Sequence, residues 1–120
     1  MPPDTVFDPG VLERLRQLTP PGEPDVLSEV LRMFADDAPT RMAHLREAWQ
    51  RGDATAVQRT AHSLKGSSGN IGARALYAVC RQIDERASAG DLASATPLLD
   101  ALDREYAAVE AEITRLLRKS

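Results

Sequence analysis

Apolar positions recur three and four apart along most of the chain and are broken by short Gly, Pro and Asp punctuation. That is the period of amphipathic helix, not of strand. The pattern predicts six helices. The first, about 8–18, opens at Asp8-Pro9, a cap with proline in the first turn, and stops at Thr19-Pro20-Pro21-Gly22. The second, about 25–37, begins with Asp25 and carries Val26, Leu27, Val30, Leu31 and Phe34 on one face. The third, about 39–51, turns Met42, Leu45 and Trp49 inward. Gly52-Asp53 supplies a stop followed by an N-cap, and the same device at Gly90-Asp91 brackets two long helices between 53 and 89. The last helix has the most sustained stripe, Leu98, Leu99, Leu102, Tyr106, Val109, Ile113, Leu116 and Leu117. Pro97 either sits in its first turn after Thr96 or kinks a helix begun at Asp91. Short connections between such helices favour antiparallel neighbours. The expected fold is therefore all-α: an up-down four-helix bundle with one or two additional N-terminal helices packed across one end or side.

Composition narrows this further. A chain of 120 residues, 42% hydrophobic and 28% charged, fits one soluble domain, 1–120, with a real core. Aromatics are only 4%, and the abundant Ala, Leu, Glu, Arg and Gln favour helix. A formal charge of −3 leaves no basic stripe for a phosphate backbone, so nucleic acid is not expected as a partner. No apolar run has membrane-spanning length, and MPPDTVFDPG lacks the basic flank and apolar segment of a signal peptide, so the expected location is the cytoplasm, with no membrane partner. The initial Met1 favours a free-standing protein. One cysteine, Cys80, and two histidines, His44 and His62, offer neither an internal disulfide nor metal-ligand spacing.

The chemistry concentrates in Ala61-His62-Ser63-Leu64-Lys65-Gly66-Ser67-Ser68-Gly69-Asn70-Ile71-Gly72. On a helix, Val57, Ala61, Leu64, Ser68 and Ile71 gather on one side, and His62, Lys65, Gly66 and Gly69 gather roughly 140° or more away. Imidazole is nucleophilic near neutral pH, so an exposed ring nitrogen can attack phosphorus without first losing a proton. Lys65, one turn on, offers a mobile positive charge, and glycine clears the approach for a partner. Each residue alone is also compatible with an ordinary solvated surface, and Gly66 and Gly69 with a helix end. Yet each glycine inside a helix costs ~1 kcal/mol relative to alanine, and two on one face beside His and Lys point to a smooth approach surface. His44 lies on the flank of its helix and reads as exposed. Cys80, on the apolar side of its helix, reads as a small core residue.

The string His62-Ser63-Leu64-Lys65-Gly66-Ser67-Ser68, with Ala61 before it and Gly72 after it, closely resembles the H-x-L-K-G-S-S signature of histidine-containing phosphotransfer (HPt) domains. The order of helices and Gly-Asp breaks is similar to theirs over roughly residues 8–118. The resemblance implies a relay protein without a nucleotide site or cofactor of its own. His62 would accept the phosphoryl group, Lys65 would steady it and Gly66 would admit the partner. The implied partners are response-regulator receiver domains, which bring the Mg2+, and a hybrid histidine kinase. The chain would act as a monomer. Apolar positions such as Val26, Val30 and Phe34 are compatible with core, and residues of the first two helices left uncovered near His62 would form the docking patch for a receiver.

One position departs from the pattern. Many relatives carry Gln one turn after the position matching Cys80, where this chain has Asp84. Phosphotransfer domains of chemotaxis kinases, with Glu there, are more similar. Leu76, Val79, Ile83 and Ala87 turn inward on that helix, while Tyr77 and Asp84 lie on the adjoining edge. From there Asp84 would accept a hydrogen bond from His62 Nδ1 and leave Nε2 free; a solvated Asp84, or one paired with Arg81, is the other reading. Two further functions fit the residues: a histidine-kinase dimerisation fragment, against which stands Ser63 where an acidic residue usually follows the histidine, and a helical adaptor without chemistry.

Overall fold

Three aspartates set the helix starts. Asp8, Asp25 and Asp53 each accept a hydrogen bond from a first-turn backbone N–H, of Gly10 at 2.9 Å, Leu27 at 3.2 Å and Ala56 at 3.1 Å. Each cap satisfies a donor that a helix end leaves orphaned and contributes ~1 kcal/mol. They open α1 (Pro9–Gln17), α2 (Val26–Gln50) and α3 (Ala54–Asn70). α4 (Arg74–Ser88) and α5 (Pro97–Arg118) follow. The computed structural model describes residues 6–118, and among these every regular element is helical. Residues 1–5 of the segment read for targeting lie outside the described range. No described helix is long and apolar enough to cross a membrane.

The break expected between 37 and 39 is absent, so five helices form instead of six: α2 runs straight through Pro39. A proline inside a helix removes one backbone bond and crowds the preceding turn, at a cost of about 3 kcal/mol or more. Tertiary burial outweighs that cost. Leu31, Phe34, Ala38, Met42, Leu45 and Ala48, spaced three and four apart, are all 5% exposed or less. Ending the helix at 37 would rotate half of this stripe out of the core, and each large side chain so exposed would forfeit roughly 1.5–3 kcal/mol. Pro39 itself faces solvent. The ambiguity at Pro97 resolves the other way: residues 93–96 form turns, with the Asp91 carboxylate accepting from Ser94 N–H at 3.1 Å, and α5 starts at Pro97.

α2 packs on α3, α3 on α4, α4 on α5, and α5 returns to α2. The α2–α3 and α3–α4 connections are so short that these neighbours must run antiparallel, giving an up-down four-helix bundle. Leu45, Leu64, Leu76, Ile83 and Leu102 meet at its centre, each at most 1% exposed. The N-terminal half of α2 continues past the bundle, and α1 packs against α2 there. The turn joining α3 to α4 pins the start of α1. Asp8 N–H donates to the Gly72 carbonyl at 2.8 Å. Gly72 has φ +72°, and a Cβ there would stand 2.9 Å from that of Val11, so both the conformation and the close approach demand glycine.

Candidate functional site

α3 is fixed from within. Val57, Ala61, Leu64 and Ser68 have no exposure, and the Ser68 hydroxyl donates back to the Leu64 carbonyl at 2.7 Å. This inner face sets the rotation of the helix, and the opposite face consequently presents His62, whose side chain is 65% exposed. The helix continues past Gly66 and Gly69 to Asn70, so neither glycine ends it. A Cβ at Gly66 would meet nothing within 4 Å, whereas one at Gly69 would touch the Tyr77 ring of α4 at 3.4 Å. The ground beside His62 is bare at Gly66 and levelled by an aromatic ring at Gly69.

Asp84 reaches this face from α4. It is more enclosed than an edge position implies, at 8% exposure, and it is fully engaged. Its Oδ2 accepts from Lys65 Nζ at 3.0 Å and stands 3.1 Å from His62 Nδ1; its Oδ1 accepts from Gln58 Nε2 at 2.8 Å, with the Ser88 hydroxyl at 3.5 Å. Arg81 instead neighbours Glu85, 4.0 Å away, so the alternative Arg81–Asp84 pairing does not form. Burial opposes ionisation of Asp84, but the hydrogen bonds from Gln58, His62 and Lys65 and the Lys65 charge outweigh it and hold its pKa down to about 2.

A carboxylate that is ionised at neutral pH can only accept, so the proton in the His62–Asp84 bond belongs to Nδ1. In the neutral ring Nε2 is then the nitrogen with the lone pair, and no described residue bonds to it. The arrangement yields a nucleophilic nitrogen aimed outward, a carboxylate behind the ring, and a lysine that cancels the carboxylate's charge. The site therefore brings together His62, Lys65 and Asp84, with Gly66 open beside them. Gln58, one turn before His62, was not among the residues singled out from sequence. Its signal was its i−4 spacing on the histidine's own face, which gains meaning only once Asp84 is placed between them.

Other features lie outside this network. His44 is exposed on α2 and shares none of its bonds. Cys80 has no exposure, and burial pushes its thiol up to about 12, which leaves it unreactive. A groove of about 370 Å³ opens between α1, α2 and α3, lined by Leu15, Val30, Met33 and Phe34 and closed at its rim by Arg41, which donates to Ser67 at 2.8 Å. Of the apolar residues compatible with core, Phe34 is buried and Val26 and Val30 are half-buried; Leu18, 64% exposed, and Met33, 63% exposed, are large apolar side chains left in the open.

Comparison with known proteins places this geometry. Residues 29–112 match the family described as Hpt domain. Histidine-containing phosphotransfer protein 2 of Arabidopsis thaliana is 30% identical over 102 residues, a match covering 82% of this chain and 65% of that protein's length. Among solved structures, histidine-containing phosphotransfer protein B of Pseudomonas aeruginosa PAO1 superposes with a TM-score of 0.87 at 33% identity, covering 96% of both chains. A histidine-containing phosphotransfer protein of Medicago truncatula does so with a TM-score of 0.82 at 25% identity, covering 96% of this chain and 79% of its own. The chain belongs to the Hpt domain family.

Proposed function

We propose that this protein relays a phosphoryl group between the aspartates of response-regulator receiver domains in a two-component phosphorelay, carrying it on Nε2 of His62. The observation that carries this reading is the exposed His62 ring held through Nδ1 by an ionised Asp84. In the first step the Nε2 lone pair attacks the phosphorus of a receiver aspartyl phosphate. The N–P bond forms, the P–O bond breaks, and the aspartate leaves as a carboxylate. No proton has to depart from the histidine, because Nδ1 keeps its own and the ring becomes a phosphoimidazolium. That positive charge grows along the reaction, so the hydrogen bond to Asp84 is stronger in the transition state than in the resting site. The second step is the reverse, onto another receiver.

Lys65 accompanies the charge. It rests on Asp84, which offsets the repulsion a bare carboxylate would exert on an incoming phosphoryl group, and its flexible stem lets it turn to the phosphoryl oxygens once they arrive. Gly66 leaves the approach clear for the receiver, and the groove beside Met33 gives the receiver an apolar surface to rest on. The receiver supplies the Mg2+ and the donor or acceptor carboxylate; the bundle supplies a positioned nucleophile and a docking face, with no nucleotide site or cofactor of its own. It works as a cytoplasmic monomer, receiving its phosphoryl group from the receiver of a hybrid kinase.

The test is incubation with a phosphorylated receiver and Mg2+. The wild type takes up an acid-labile, alkali-stable label. His62→Gln takes up none while its helical circular dichroism is unchanged, since an exposed side chain contributes little packing. Label retained by His62→Gln, or moved to His44, would overturn the assignment, and a wild type that binds the receiver without label would indicate an adaptor.

A further inference from the structure

The two oxygens of Asp84 have different jobs. Oδ2 serves both His62 Nδ1 and Lys65 Nζ, at 3.1 and 3.0 Å, and Oδ1 faces the other way, onto Gln58 Nε2 at 2.8 Å. A carboxylate on a single χ2 torsion can flip or tilt between many orientations, because terminal torsions of this kind are broad. Two donors competing for one oxygen do not by themselves choose the orientation that suits the histidine. A third donor on the opposite oxygen does, and here it comes from α3 itself, one turn before His62. The Ser88 hydroxyl, at 3.5 Å on the same Oδ1, is a weaker second hold from α4.

We propose that Gln58 is a positioning residue of the phosphotransfer site: by holding Oδ1 of Asp84 it aims Oδ2 at His62 Nδ1 and so selects the ring tautomer whose Nε2 is nucleophilic. The inference rests on the phosphotransfer reading and extends it by one residue that touches neither the phosphoryl group nor the reacting nitrogen. Gln58 is suited to this role. It is half-buried, so its amide is shielded from competing water, and it is neutral, so it anchors the carboxylate without adding a charge that would draw Asp84 away from the ring. Both Gln58 and His62 ride on α3, whose inner face is fixed in the core. Asp84 is therefore referred to the same helix that carries the nucleophile, and small shifts of α4 do not spoil the contact.

The experiment combines nitrogen-resolved NMR of the His62 ring in the unphosphorylated protein with transfer kinetics. In the wild type the neutral ring is mainly Nδ1–H. Gln58→Met, of similar shape but without a donor, shifts it toward Nε2–H and lowers the transfer rate constant by roughly three- to tenfold, the scale of one ordinary hydrogen bond, because its effect reaches the ring only through Asp84. Its receiver affinity and melting temperature stay close to wild type. Gln58→Glu, which keeps the shape but replaces the donor by a like charge, behaves no better than Gln58→Met. An unmoved tautomer in Gln58→Met, or a wild-type rate in Gln58→Glu, overturns the proposal. Because the tautomer is read without any phosphoryl group, a wild type that takes no label overturns the phosphotransfer reading separately.

Discussion

Two buried carboxylates stand on neighbouring helices of the bundle, and they are held in opposite ways. Glu112 of α5, 6% exposed, takes its donors from Arg115 of the same helix, whose Nε lies 2.8 Å away and whose Nη2 also makes contact. Asp84 of α4, 8% exposed, takes its three closest donors, Gln58, His62 and Lys65, from α3. The first is a local pair that an isolated helix could make. The second exists only when two helices are packed in register, and one of its donors is left open to solvent on its far side. Burial of an acid is thus not what marks a site here. What marks it is a carboxylate whose donors come from another element and include a nucleophile that remains exposed.

The contrast can be broken by removing each acid. Asp84→Ala should lower the phosphotransfer rate by about 10- to 100-fold, the worth of one charge-assisted hydrogen bond that strengthens as the ring becomes cationic. Rapid-quench transfer from a phosphorylated receiver measures it, and a rate within twofold of wild type would make Asp84 a bystander. Lys65→Ala should have a smaller effect, roughly three- to tenfold, and shorten the phosphohistidine lifetime, because a half-buried charge is partly screened. Acid sharpens the same comparison. Asp84 has its folded pKa lowered to about 2, so the stability it contributes is present above the ordinary aspartate range and is lost as pH falls from about 4 through about 2. Its carboxyl carbon signal should stay flat from pH 7 to about pH 4. The stability difference between wild type and Asp84→Asn, on the order of 1 kcal/mol, should shrink across that lower window in urea titrations. Glu112→Gln should show the smallest effect, an unchanged transfer rate and less than about 1 kcal/mol in stability.

How far the sequence carried depended on the range of the interaction. The caps at Asp8, Asp25 and Asp53 and the two faces of α3 were legible because they follow from residues within a turn of one another. Pro39 misled for the complementary reason. Its local preference is to start a helix, and the stripe Leu31, Phe34, Ala38, Met42 and Leu45 that overrides it was itself visible, but its weight comes from burial against α3 and α5. Asp84 could be placed on the right edge of its helix by counting residues. Its depth, and the choice of Gln58 over Arg81 as partner, depend on how far α4 slides along α3, which no periodicity encodes. Gln58 escaped notice because its role passes through a side chain 26 positions away.

The hydrogen bond from Asp8 to the α3–α4 turn has a consequence for the order of assembly. It joins the start of the first helix to a corner that does not exist until α3 and α4 have come together, and Gly72 leaves Val11 no slack there. A contact of such long sequence separation carries a loop-closure cost that only the finished corner repays. α1 should therefore dock last in folding and detach first in unfolding, ahead of the bundle. Its amides should exchange with solvent through that partial opening, at a free energy below the global one, and Gly72→Ala should accelerate their exchange while leaving that of α3 unchanged. Exchange of α1 and α3 at one common rate would place the latch inside the cooperative core.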